Sequence, residues 1–260
     1  MAIKRRNKDK SDSFIIKDGL LKLLRCVHLG GVIEDCLLEV NRGVGSVMAV
    51  DITNSLIIMG FEPVMSKSIN NEFGLGNIDL LIRFLSSLTK DKNIPIKTDA
   101  NHLKVSRKDG KRRLDYLLTD PSLIGTKLSM DEDDEDPYKK IKSMMEYSVP
   151  LNASFTKDFL SYIGMLSTPD TRLKYSDESI SFICGADTDH QMELSFDAEV
   201  ETIDDAEDDV SLLINGEHLS KIFQVLDIKD EPILYFAQEA PIMIESDKVS
   251  WALTPISGGE

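Results

Sequence analysis

The sequence predicts an α+β fold made of two tandem copies of one domain, each a helix pair packed on antiparallel sheet. Three observations carry that expectation. A helical pattern recurs at a spacing of roughly 138 residues, Asn77 over Asn215, so that Leu81, Phe84, Leu85 and Leu88 fall on Leu219, Ile222, Phe223 and Leu226. Both copies of that stripe are followed by short segments that alternate apolar and polar residues, the pattern of strands with one buried face. Between the copies lies an acid-rich stretch whose like charges repel one another and resist packing.

The elements follow in order. Residues 1–12 read as a basic tail, with Lys4, Arg5, Arg6, Lys8 and Lys10 against Asp9 among the first ten. The first domain is expected over 13–121. It opens with Lys17-Asp18 ahead of Leu20, Leu23, Leu24 and Val27, spaced as one face of a helix, which leaves Lys22 and Arg25 together on the exposed face. Residues 56–62 read as a central strand, and the helix from Asn77 sets Arg83 opposite its apolar stripe. Ile94-Pro95-Ile96 and the strand ending in Leu117-Leu118-Thr119-Asp120-Pro121 close the copy.

Residues 122–150 read as an exposed acidic connector, because 131–136 is six consecutive acids and Pro137 follows. The second domain is expected over 151–260. Lys157-Asp158 stands ahead of Phe159, Leu160 and Ile163 as the repeat of the opening helix, and residues 180–187 are matched to 56–62. The helix from Asn215 carries Lys221, and segments at Pro232-Ile233-Leu234 and Ala252-Leu253-Thr254-Pro255 close the chain.

Charge and motifs narrow the function. The formal net charge of −15 argues against a molecule that binds DNA with its whole surface. The average hides two unlike halves: residues 1–130 hold 21 Lys and Arg and 15 acids, whereas 131–260 hold 9 and 30. Residues 197–209 add a second run, of eight acids and no base. No phosphate-binding, nucleophile-elbow or metalloprotease motif occurs, so no catalytic residue, metal or cofactor is assigned. Asp187-Thr188-Asp189-His190 is the one local cluster with the chemistry of a cation site, and its place between alternating segments fits a hairpin turn. Cys26, Cys36 and Cys184 sit in apolar stretches without metal-ligand spacing and read as reduced core residues. There is no window of about eighteen uncharged apolar residues and no secretory signal, so a cytoplasmic protein is expected, in the host cytoplasm if the source is viral, with no membrane partner.

The repeated domain, the acidic bulk with basic helices and the helix-then-strand endings resemble the DNA sliding clamps over nearly the whole chain. The run from Asn77 through Ile94-Pro95-Ile96 to Asp120-Pro121-Ser122 is similar to the end of the first domain of tailed-phage clamps. Ser211 to Asn215, Ala240-Pro241-Ile242 and Ser250 to Ile256 are similar to the close of phage clamps and of proliferating cell nuclear antigen. The enlarged acid runs and the basic tail depart from that pattern. The resemblance implies a ring, a homotrimer of two-domain subunits joined edge strand to edge strand, with helices toward the hole. Lys22, Arg25, Arg83, Lys157 and Lys221 would then meet the phosphates of double-stranded DNA without reading sequence. It also implies an apolar pocket on the outer face for a DNA polymerase, an ATP-dependent clamp loader and other partners. Pro241, Thr254, Pro255 and Ile256 match that motif. Leu123, Ile124 and Leu128 of the connector serve either partner contact or packing of the linker itself. A non-encircling acidic adaptor that recruits replication or transcription proteins is the alternative, and a metal-dependent enzyme using Asp187, Asp189 and His190 is a third.

Overall fold

A computed structural model describes residues 13–99, 101–127, 136–166, 170–196, 199–203 and 209–256. The basic tail, Leu128, residues 131–135 of the first acid run and much of the second lie outside the described residues. The first half runs β1 (Phe14–Ile16), α1 (Lys17–His28), β2 (Cys36–Asn41), β3 (Val44–Val50), β4 (Leu56–Pro63), β5 (Asn71–Leu75), α2 (Ile78–Ser87), β6 (Asn93–Thr98), β7 (His102–Ser106) and β8 (Arg113–Leu117). After α3 (Pro137–Lys142) the second half runs β9 (Tyr147–Pro150), α4 (Ala153–Met165), β10 (Asp170–Ser176), β11 (Ser179–Cys184), β12 (Met192–Phe196), β13 (Glu201–Thr202), β14 (Val210–Asn215), α5 (Gly216–Val225), β15 (Ile233–Phe236), β16 (Ile242–Glu245) and β17 (Val249–Leu253).

Among the described residues all strand pairing is antiparallel and falls into three sheets. Two have four strands, in the orders β1, β6, β7, β8 and β12, β11, β10, β14; the third has nine, in the order β13, β9, β15, β16, β17, β4, β3, β2, β5. The plan is one arrangement used twice. The set β9, β15, β16, β17 repeats β1, β6, β7, β8, and β12, β11, β10, β14 repeats β4, β3, β2, β5. The long sheet exists because β17 of the second half pairs with β4 of the first, Val249 opposite Gly60, Trp251 opposite Ile58 and Leu253 opposite Leu56. In that correspondence β8 stands for β17 and β12 stands for β4, and both are open edges in the single chain. The expected match of residues 56–62 to 180–187 is therefore out by one strand: β4 corresponds to β12, and β11 to β3. Period-two alternation is alike in neighbouring strands, so pattern alone does not fix which strand is matched.

Local chemistry places the helices. Three of the four long ones among the described residues start on an asparagine whose side-chain oxygen accepts a backbone N–H of the first turn: Asn77 from Leu80 at 2.9 Å, Asn152 from Phe155 at 2.9 Å and Asn215 from His218 at 3.1 Å. The fourth, α1, has no side-chain cap. Its first residue does another job, since the buried Lys17 Nζ donates to the Leu88 carbonyl oxygen at 3.0 Å, just past the end of α2. The helices form one layer in the order α2, α1, α5, α4, with α1 meeting both α2 and α5. Beneath it the core of the first half is aliphatic, built on Leu20, Leu23, Leu24, Leu81 and Leu85, and that of the second is aromatic, built on Phe155, Phe159, Phe182, Phe196 and Phe223. Cys26, Cys36 and Cys184 are buried free thiols, and burial pushes them up to about 11, 12 and 11.

The stretch expected as an exposed connector is more ordered than its charge suggests. Ile124 and Thr126 are buried, α3 buries Ile141, and β9 sits inside the nine-stranded sheet between β13 and β15. Asp136-Pro137 explains the helix: the Asp136 side chain accepts the Tyr138 N–H at 3.1 Å, and proline fills a first-turn position whose missing N–H costs nothing.

Candidate functional site

Two surfaces are candidates, the solvent side of the helix layer and the outer face of the long sheet. On the helix layer all five sequence-predicted cations stand where their helical spacing put them, yet their states differ. Lys22 of α1 is half-buried and its Nζ lies 2.7 Å from a carboxylate oxygen of Asp230, in the turn after α5. That hydrogen bond outweighs burial and holds the Lys22 pKa above the usual lysine value. Arg25 is exposed and donates to the Ser86 hydroxyl of α2 at 3.1 Å. Arg83 pairs with Asp79 one turn earlier on the same helix. Lys157 of α4 and Lys221 of α5 have no ion pair among the described residues, and Lys221 reaches across to Gly30 at the end of α1. Asp18, Asp79, Asp158, Glu217 and Asp230 share this surface, so it is a mixed layer in which these acids match the five cations in number.

The outer face is apolar at its centre. Cross-strand neighbours Tyr235, Met243, Ala252 and Ile57 form one row across β15, β16, β17 and β4, with Met59 and Met48 in the next. The connector helix lies on this patch: Ile141 and Met145 are buried in a cluster with Met59, Tyr235, Met243 and Ala252, and Tyr138 packs against it. One charged network pins it there. Tyr138 donates its hydroxyl to Glu245 at 2.7 Å, while Lys142 pairs with Glu245 and donates to the hydroxyl oxygens of Tyr138 and Tyr235, both at 3.2 Å. Burial works against the Lys142 ammonium, but Glu245 and the two tyrosines prevail and raise its pKa. Beside the helix a cavity of about 720 Å³ is lined by Met48, Met59, Phe61, Lys127, Tyr138 and Glu245, among others.

The predicted partner residues divide. Leu123 is exposed, whereas Ile124 is 3% exposed and packs inward. Leu128 is outside the described residues. Pro241 and Pro255 are half-buried and Thr254 and Ile256 exposed. The chain end is tied down by backbone bonds from Thr254 N to the Ser55 oxygen at 2.9 Å and from Ile256 N to the Leu213 oxygen at 2.7 Å. Sequence reasoning missed Tyr138, Ile141 and Met145, although their spacing behind an Asp-Pro start is that of one helix face. At the carboxylate cluster, Asp187 has φ 63° and pairs with Arg172 at 2.6 Å, and the Thr188 hydroxyl donates to the Gly185 oxygen. That is the expected turn. No group of three metal-ligating side chains occurs among the described residues, and no helix among them is long and apolar enough to cross a membrane.

No family model and no curated protein matches the chain. Solved structures do. PCNA from Thermococcus kodakaraensis is similar at 14% identity over 94% of this chain and 99% of that one, with a TM-score of 0.69. PCNA from A. fulgidus, solved with the C-terminal region of FEN-1, gives 15% identity over 95% and 99%, and 0.71. The Helicobacter pylori beta clamp, solved with a DNA ligase peptide, gives 14% identity over 95% of this chain and 67% of that one, and 0.64. The chain has the fold of the sliding clamps.

Proposed function

We propose that the chain is a DNA sliding clamp, a closed ring that encircles duplex DNA and tethers a replicative polymerase. The observation that carries the reading is the junction inside the chain. The pairing of β17 with β4 joins two copies of one domain into a continuous sheet, and the counterparts of those strands, β8 and β12, are left open. An open edge that repeats a filled one invites the same pairing with a second copy. Because the two edges differ, such pairing is head to tail and closes only as a ring or continues as a filament. Three subunits of two domains would give six similar domains.

In that ring the helix layer faces the DNA. Its cations are long side chains on the solvent side of the helices, Arg25, Arg83 and Lys157 exposed and Lys22 and Lys221 half-buried, which suits contact with phosphates at any position along the duplex. The outer face would hold the apolar segments of polymerase, clamp loader and other partners in the cavity beside α3, while Pro241 and residues 254–256 lie at the far end of β16 and β17 from it. On this reading α3 already occupies part of the apolar patch, and a partner competes with it.

A native mass measurement at micromolar concentration, paired with polymerase extension on primed circular DNA, tests the proposal. A trimer and stimulated extension are expected. A monomer that gives no stimulation sinks it; a monomer that still binds replication proteins would point to the adaptor.

A further inference from the structure

The two halves of the chain repeat one corner of the fold with opposite charge. In the first half the link from α2 to β6, residues 88–92, meets the tip of the β7–β8 hairpin, residues 107–112; together they hold six cations and two acids. The corresponding corner of the second half is residues 226–232, from α5 to β15, with the β16–β17 turn at 246–248. It holds two cations and four acids. Each corner is tied together by side chains. Arg112 donates to the Ser87 carbonyl oxygen at the end of α2, at 2.8 Å, and Arg107 lies 3.2 Å from Asp91; in the other corner the Ser246 hydroxyl lies 3.5 Å from Asp230.

The basic corner is longer as well as more charged, with six residues at its hairpin tip against three. The tip is ordered by its own backbone, Gly110 N donating to the Arg107 oxygen at 2.8 Å and Arg107 N to the Arg112 oxygen at 2.9 Å. Arg107 engages both acids of the corner, Asp91 and Asp109. Lys90, Lys92, Lys108 and Lys111 are left exposed with no ion pair among the described residues. Arg112 is exposed too, and its bond to Ser87 is a single one. Between the end of α2 and the tip lies a hollow of about 190 Å³, lined by Lys90, Arg107 and Arg112 among others. The patch continues the helix layer, since Ser86, which Arg25 contacts, is the residue before Ser87.

We propose that this corner is a phosphate-binding site at the rim of the helix layer, where Lys90, Lys108, Lys111 and Arg112 grip the backbone of duplex DNA as it leaves that layer. The inference rests on the sliding-clamp reading and adds where the attraction for DNA resides. On the helix layer five acids match the five cations, so its net pull on a polyanion is small, whereas the corner carries an excess of four positive charges. Lysines on a hairpin tip meet phosphates as point charges and read no bases, so the grip does not stop sliding. In a trimer the two kinds of corner would alternate around one face of the ring, three of each. A duplex would be drawn to a basic corner and repelled by the acidic ones, and so would leave that face tilted from the ring axis.

The test is a titration of fluorescent duplex DNA with the full chain over a range of salt concentrations, for the parent and for Lys90→Ala, Lys108→Ala, Lys111→Ala combined. If the duplex leans on one corner at a time, affinity should fall on the order of tenfold or more, and the log–log salt slope should flatten by about 2 to 3, three contacts at about 0.9 each. The same three positions changed to Arg should keep both, and two unrelated duplex sequences should lose equally. These lysines are exposed and unpaired, and an unchanged unfolding midpoint checks that each variant folds. Unchanged affinity and slope in the triple-Ala variant overturn the rim site and leave the clamp reading intact. A loss confined to one sequence overturns the phosphate contact. A fall in oligomeric mass by sedimentation would make the tip a contact between subunits and overturn the site as well. A parent that neither binds duplex nor stimulates polymerase overturns the clamp reading together with it.

Discussion

Apart from β13, the two halves of the chain share a topology strand for strand, yet they differ in core chemistry and surface charge. The first has an aliphatic core and a basic surface; the second has an aromatic core and carries most of the acid. The difference teaches that this fold is fixed by caps, alternation and the places where apolar residues fall, while core chemistry and surface charge are free to differ. The most severe way to break the comparison is to empty one core. Phe159 is fully buried, with its ring 5.1 Å from that of Phe223 and 6.0 Å from that of Phe182. Phe159→Ala should cost about 3–5 kcal/mol and Leu24→Ala about 2–5 kcal/mol. Because β17 and β4 share one sheet, urea unfolding of either variant should remain a single transition. Two transitions would show that the halves unfold apart, and the junction would then be weaker than its pairing implies.

A second comparison sets two helical glycines against each other. Gly19 of α1 lies so close to β4 that an added Cβ would stand 2.0 Å from the Pro63 carbonyl oxygen, whereas nothing lies within 4 Å of the same position at Gly164 of α4. Gly19→Ala must push α1 off the sheet and should cost about 1–3 kcal/mol. Gly164→Ala should instead add about 0.5–1 kcal/mol through helix propensity and a less flexible unfolded chain. Thermal midpoints moving in opposite directions are the expected result, and a loss at Gly164 would contradict the open space seen there.

Much of this was legible in the sequence. The duplicated helix stripe and the three asparagine caps are local signals, and local signals survive without an alignment. The sequence also placed Lys22, Arg25, Arg83, Lys157 and Lys221 on exposed faces, since 3.6-residue spacing decides that. What it did not show is which cations are neutralised: Asp230 reaches Lys22 from 208 positions away in the chain. Nor did composition reveal that the connector folds. An acid run dominates its character, while Tyr138, Ile141 and Met145 need the apolar row of Tyr235, Met243 and Ala252, drawn from three separate strands, before their own spacing has meaning.

The connector also separates the two halves of the outer face, and this gives a smaller effect to look for. Ile141→Asp places a carboxylate against Met59 and Met243, so α3 should leave the patch with little change in global stability. If α3 competes with partners, an apolar peptide from a clamp-binding protein should bind about tenfold more tightly to the variant, which corresponds to about 1.4 kcal/mol. Weaker binding would mean that α3 forms part of the docking surface.

The smallest effect returns to charge, where the halves reverse the expectation set by composition. The basic half holds Lys22 and Arg83 next to acids, Asp230 and Asp79, whereas the acidic half leaves Lys157 and Lys221 unpaired. A cation that must release its own carboxylate before meeting a phosphate adds less to binding than a free one, since an exposed ion pair already contributes up to about 1 kcal/mol. Each phosphate contact steepens the dependence of DNA affinity on salt by about 0.9 in a log–log plot. In a trimer Lys157→Ala with Lys221→Ala removes both free cations from every subunit and should flatten that slope by up to about 5, and Lys22→Ala with Arg83→Ala by less than about half as much, with the oligomeric mass unchanged in both. Equal slopes would mean that the acids release their partners at no cost when DNA is present; the reverse order would mean that the helix layer meets DNA through its first half alone.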